Sequence, residues 1–213
     1  MPKSVKVPQQ FEPLFDVAES YVEKMFEEYK REPDRGMIHL GGERYVLVRA
    51  ESMFAALFDQ LEGAFGEEHA QEFIYSMARI IGKADAKAFI ANRGVKDPTE
   101  KLSTGPVLFA HTGWAFVDIF PTSNPAPNQE YFLHYQHPNT FESEIYAKKG
   151  MKSDHPICFF SAGYSAGWCS EAYGVEVHAR EIRCLAKGDD RCEFIMAPFE
   201  KLDEYEKKIL NGR

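Results

Sequence analysis

The chain has 213 residues, 44% of them hydrophobic and 27% charged, which is ordinary globular composition and argues against disorder. Lys plus Arg total 25 against 33 for Asp plus Glu, a net charge of -8 that disfavours a body built to grip nucleic-acid phosphates. No apolar run approaches the about 20 residues that cross a bilayer, and the N-terminus lacks the apolar core of a signal peptide.

In chain order, Phe15 to Lys30 has helical apolar spacing through Val17, Ala18, Tyr21, Val22, Met25 and Phe26, ended by Pro33-Asp34-Arg35-Gly36. Met37 to Val48 reads as a hairpin turning at Gly41-Gly42. Ser52 is a candidate cap for a helix with Phe54, Leu57, Phe58, Leu61 and Phe65 on one face. A third helix, from about Glu67 to Phe89, carries Phe73, Met77, Ile80, Ile81 and Ala84 as a core or dimer face. Its second half is rich in small residues, which permits close packing.

From Leu102 the texture predicts strands, dense in apolar residues between Val107 and Phe120, then a long turn over Pro121 to Asn128 and another strand over Glu130 to His137. Helices are expected over Phe141 to Lys148 and from Ser161 through Trp168, and Pro198 opens a charged C-terminal helix. The fold class is α+β: N-terminal helices with a hairpin, then an antiparallel sheet with interleaved helices. The expected organisation is a helical, dimerising region over 1–100, a ligand-binding region over 101–198, and a linker helix over 199–213.

Cys158, Glu181, Cys184 and Cys192 form the strongest chemical signal. Cys184 and Cys192 flank a turn centred on Gly188. On a hairpin they would face each other on neighbouring strands, about 5 Å apart in Cα position. Three thiolates and a carboxylate suit a tetrahedral Zn²⁺ site. With no open position such a site is structural, because it cannot hold an activated water. The alternative is buried cysteines acting as small hydrophobes, the reading given to Cys169. One obstacle stands: positions three apart on a regular strand face opposite sides, so Glu181 and Cys184 share an ion only across a bulge or a strand end.

The run from His155-Pro156-Ile157-Cys158 through Gly163-Tyr164-Ser165-Ala166-Gly167 to Glu181-Ile182-Arg183-Cys184 and Gly188-Asp189-Asp190-Arg191-Cys192-Glu193-Phe194 resembles the 4-vinyl reductase domain. With the upstream helices, residues 12–200 resemble the N-terminal sensor region of XylR, DmpR and MopR-type activators of aromatic catabolism. The resemblance implies a structural zinc on the four matching positions, a homodimer, and a buried pocket for a small aromatic effector whose occupancy regulates an output domain or partner. It also implies a cytoplasmic protein that touches neither membrane nor nucleic acid itself.

Candidate ligand contacts are Phe109, His111, Trp114, Ile119, Phe132, Tyr135, His137, Tyr164 and Trp168, and each aromatic residue among them is equally at home in a core. His134 is a further polar candidate. Phenol sensors of the family have Gly-Pro-x-Leu-His where this chain has Gly105-Pro106-Val107-Leu108-Phe109, and their partnering tryptophan falls at His137. The resemblance therefore implies an aromatic ligand other than phenol, less polar or held from the His137 side. Two alternatives accompany the sensor reading. One is a small enzyme acting on an aromatic or tetrapyrrole-like substrate, with His111 and Glu130 or His137 as acid and base. The other is an interaction scaffold with a filled interior. No HExxH, nucleophile elbow or glycine-rich cofactor loop supports catalysis.

Overall fold

The computed structural model describes residues 3–212. A short strand, β1 (Val5–Lys6), leads into helix α1 (Glu12–Glu27), where Pro13 occupies the first turn and so costs no helical hydrogen bond. Phe15, Ala18, Val22 and Met25 bury one stripe of α1, the spacing its sequence predicts. Three strands follow, β2 (Lys30–Glu32), β3 (Met37–Leu40) and β4 (Glu43–Tyr45), paired antiparallel in that order. Gly41 and Gly42 have φ of 59° and 87°, the left-handed pair that a two-residue hairpin turn requires. The hairpin matches the sequence reading. β2 extends it unexpectedly, because the charged, exposed Lys-Arg-Glu run carries no alternation.

Helices α2 (Ala50–Phe65) and α3 (Glu67–Arg93) are joined at Gly66. The buried face of α3 is Ala70, Ile74, Ala78, Gly82, Ala86 and Phe89. The stripe expected as core or dimer face points outward instead at Phe73 (52% exposed) and Ile80 (69%). The reason is the neighbouring helix α6 (Phe159–Tyr173), which crosses α3 backbone to backbone. A Cβ on Gly82 would collide with the Tyr164 carbonyl, and one on Gly167 with the Arg79 carbonyl. Only small residues fit that crossing.

The strands expected from Leu102 onward are corrected at their start: Pro98–His111 is helix α4. Asp97 caps it by accepting from the backbone of Thr99 (2.8 Å) and Glu100 (3.1 Å), and Pro98 lies in its first turn. The helix runs through Pro106 because Ser103, Thr104 and Gly105 let it press on α6; a Cβ on Gly105 would stand 2.5 Å from the Trp168 indole. Tertiary packing overrides the apolar run's strand texture.

Beyond α4 lie strands β5 (Val117–Ile119) and β6 (Leu133–His137) and helix α5 (Phe141–Lys149), which opens on a capping box between Thr140 and Ser143. After α6 come β7 (His178–Arg183), β8 (Cys192–Ala197) and the C-terminal helix α7 (Leu202–Asn211). The main sheet has the order β1-β5-β6-β8-β7, antiparallel except for the parallel β1–β5 edge. One face packs on the helices. On the other, α7 covers Phe132, Ile182, Ile195 and Ala197 with Leu202, Tyr205 and Ile209. No helix among the described residues is long and apolar enough to cross a membrane.

Candidate metal centre and effector cavity

Cys158, Glu181, Cys184 and Cys192 come together with all four donor atoms within 4.8 Å of one another, and all four residues are buried. Cys158 precedes the first turn of α6. Cys192 opens β8, opposite His137 of β6. The register of β7 on β8 slips between Glu181 and Arg183, so that Glu181 faces Phe194 while Arg183 faces Glu193. That irregularity removes the three-residue obstacle by turning Cys184 and Glu181 to one side. Cys184 sits just past the end of β7, at the start of a 3₁₀ turn, so the two hairpin cysteines are not the cross-strand pair the sequence suggests.

The donor chemistry fits a soft divalent ion. A zinc–sulfur bond of about 2.3 Å sets tetrahedral donors about 3.8 Å apart, and the Cys158 and Cys192 sulfurs are 3.6 Å apart. Glu181 Oε2 accepts from the Cys158 backbone N–H at 2.9 Å, while its Oε1 is buried without a hydrogen bond. An orphaned carboxylate oxygen beside three thiols is what a cation would satisfy. Without one, burial pushes the Cys158 thiol and the Glu181 carboxyl well above their usual ranges, and hydrogen bonds from the other two thiols draw Cys184 down. Two supporting residues escaped the sequence reading. Thr140 Oγ1 lies 3.2 Å from the Cys158 sulfur, and Asp189 Oδ2 accepts from the Cys184 N–H at 2.8 Å. Such contacts fix the orientation of ligating groups. An Asp in a Gly-Asp-Asp turn beside a cysteine was the available signal for the second.

Between α4, α6 and the sheet lies a cavity of about 30 Å³. Five candidate residues line it: Phe109, Tyr135, His137, Tyr164 and Trp168. Leu133, Val117 and Met196 join them, and strand alternation from Tyr135 would have found Leu133. His137 is fully buried, and neither ring nitrogen has a hydrogen-bond partner; the Tyr135 hydroxyl also has none. Burial pulls the His137 pKa down to about 3, so its imidazole is neutral. The Phe109 and His137 rings lie 5.4 Å apart, close enough to face one occupant together.

The remaining candidates lie elsewhere. His111 and Trp114 line a second, more open cavity of about 380 Å³, walled by the β2–β4 sheet, the end of α1, α4 and α6. Trp114 stacks on Tyr164 at 4.8 Å, and Tyr164 lines both cavities. His111 sits 3.7 Å from Glu19. Phe132 is on the far face of the sheet, stacked on Tyr205 at 4.3 Å, because positions 132 and 135 are an odd number of residues apart. Ile119 is buried opposite Tyr135 in the ladder and lines neither cavity. His134 is committed, bonded to Thr122 Oγ1 at 2.8 Å and Glu193 Oε1 at 2.9 Å. Glu130 pairs with Lys201 at the surface, so the acid–base sets considered from sequence are not joined by any hydrogen bond among the described residues.

Known proteins share both the sequence segments and the fold that build these two sites. Residues 25–122 match the family model described as activator of aromatic catabolism, and residues 138–198 match that of the 4-vinyl reductase domain. The phenol regulator MopR of Acinetobacter guillouiae is 23% identical over 78% of this chain, and the transcriptional regulatory protein XylR of Pseudomonas putida is 26% identical over 74%. The chain spans only 30% and 28% of those two proteins. The crystal structure of the phenol-responsive sensory domain of the transcription activator PoxR, with phenol, superposes with a TM-score of 0.76 at 20% identity, covering 96% of this chain and 98% of that one. Two consecutive family matches, two curated relatives and a shared fold agree: the chain belongs with the aromatic-effector sensor domains, an activator-of-aromatic-catabolism segment followed by a 4-vinyl reductase domain.

Proposed function

We propose that the chain is a ligand-sensing module that holds a small aromatic effector in the cavity beneath β6 and reports its occupancy to an output domain or partner protein. The observation that carries this reading is His137: a neutral imidazole, fully buried, with both nitrogens unpartnered, in an otherwise apolar chamber. A buried polar group without a partner costs about 1–3 kcal/mol, which a hydroxyl or carbonyl on an aromatic ligand would offset. Phe109, Tyr135, Tyr164 and Trp168 supply the ring contacts. MopR and PoxR are named for phenol. The pairing of Phe109 with His137 favours an aromatic held from the His137 side alone.

The chamber is much smaller than the roughly 150 Å³ that accommodates a benzene ring. Binding therefore requires expansion, and a ligand that selects an expanded conformer shifts the population toward it. The stacked Trp114–Tyr164 wall, which faces the larger cavity, is where that room can be made. Zn²⁺ on Cys158, Glu181, Cys184 and Cys192 has a structural role in this reading, tying β7, β8 and the start of α6 into one wall. The outward Phe73 and Ile80 on α3 suit a homodimer face, and α7 suits the reporter. A cytoplasmic setting, where thiols stay reduced, suits four free cysteines.

The test is calorimetric titration with a panel of hydroxylated and plain aromatics, on the native protein and on His137→Leu. The expected result is binding of at least one aromatic with a raised melting temperature, and about a tenfold loss for hydroxylated ligands in the variant. A panel that gives neither heat nor a thermal shift overturns the reading.

A further inference from the structure

The larger cavity holds a feature that the inner chamber does not explain. Among the residues that line it, Asp85 is the one carboxylate, and no Lys or Arg is present. The other walls are apolar and aromatic, with Phe26, Tyr29, Tyr45, Trp114 and Tyr164 contributing rings. Asp85 projects from α3, and its hydrogen bond is from the Tyr164 hydroxyl, at 2.9 Å. Its nearest arginine along the same helix, Arg93, is already held by both Glu28 carboxylate oxygens, at 2.6 and 2.8 Å. Glu43, the other charge acting on Asp85, repels it, and burial with that repulsion raises the Asp85 carboxyl above its ordinary range. An anion in these surroundings, without a cation within ion-pair distance among the described residues, is stabilised by a positive ligand and by little else. Rings that present their faces to a cation add to that attraction.

We propose that this outer cavity is a second binding site, specific for a small organic ammonium that carries an aromatic or bulky apolar group, with the cation at Asp85 and the apolar part against Trp114 and Tyr164. Its volume, about 380 Å³, admits a substituted ring without the expansion that the inner chamber needs. Tyr164 connects the sites physically: its ring lines the inner chamber while its hydroxyl is held by Asp85. An amine that draws Asp85 away frees that hydroxyl, so the outer occupant biases the wall of the inner one.

The site does not depend on the inner-chamber reading, and the experiment separates the two. Isothermal titration at pH 7 compares 2-phenylethylamine, which is cationic, with 2-phenylethanol, its neutral counterpart, on the native protein. The amine is expected to bind at least about tenfold more tightly than the alcohol. Asp85→Asn, which keeps the size and an acceptor for Tyr164, should erase that preference while leaving alcohol binding in place. His137→Leu should leave the amine preference intact. Equal affinities of amine and alcohol for the native protein overturn the proposal without recourse to any variant. So does an Asp85→Asn protein that still prefers the amine, or absence of amine binding at millimolar concentration. Loss of aromatic binding in His137→Leu bears on the inner chamber only.

Discussion

Helices α3 and α6 meet backbone to backbone at Gly82, Gly163 and Gly167, whereas the β2–β4 sheet meets the body of the molecule across an open cavity of about 380 Å³. The first region tolerates no extra atom: a Cβ on Gly163 would stand 3.1 Å from the Ala78 methyl and closer still to the Tyr75 carbonyl. The second leaves Val46, Leu47 and Val48 exposed in an extended run beside the cavity. Interiors packed to crystal density transmit displacement, while loosely covered segments absorb it. A sensor needs both, a frame that holds its shape and a side that can yield.

The comparison breaks first at the metal centre. Cys192→Ser should abolish stoichiometric metal binding and lower stability by more than about 4 kcal/mol, as loss of a structural metal does. Elemental analysis with denaturant unfolding checks it, and a variant with unchanged metal content and midpoint would show that the clamp does not hold the frame. Next comes the helix crossing. Gly167→Ala forces its methyl against the Arg79 carbonyl and should cost about 3 kcal/mol, read from the same unfolding curves.

Acid supplies a third test. The folded His137 pKa is about 3, below the about 6.5 of an unfolded chain. The unfolded chain therefore takes the proton first. This contribution to stability is intact above pH 6.5 and falls by about 1.4 kcal/mol per unit as pH drops toward 3. His137→Phe should flatten the difference between the pH–stability curves of variant and native protein by that slope; parallel curves would place the imidazole in water. The smallest effect is expected on the yielding side. Leu47, 75% exposed, should tolerate Ser with a change within about 0.5 kcal/mol.

Much of this was legible in the sequence, for reasons that differ between elements. The metal cluster was readable because thiols and carboxylates declare their chemistry, even though the bulge that unites Glu181 with Cys184 did not show. The β3–β4 hairpin was readable because Gly41-Gly42 has few other uses. Helix α4 was not: Val107, Leu108 and Phe109 look alike on a strand or on a buried helix, and what decided was Trp168, pressed on Gly105 from far down the chain. The face of α3 was misjudged for a related reason. Hydrophobic periodicity selects the bulkiest stripe, whereas the crossing with α6 selects the smallest. Among ligand candidates, Phe132 failed on parity alone, one residue out of step with Leu133, Tyr135 and His137.

That same parity gives β6 a property of its own. Tyr135 and His137 look into the chamber while Phe132, on the reverse, grips Tyr205 of α7. A single thickness of peptide separates cause from readout, so no chain of intermediaries has to relay the news. Tilting that one ribbon moves lock and lever together.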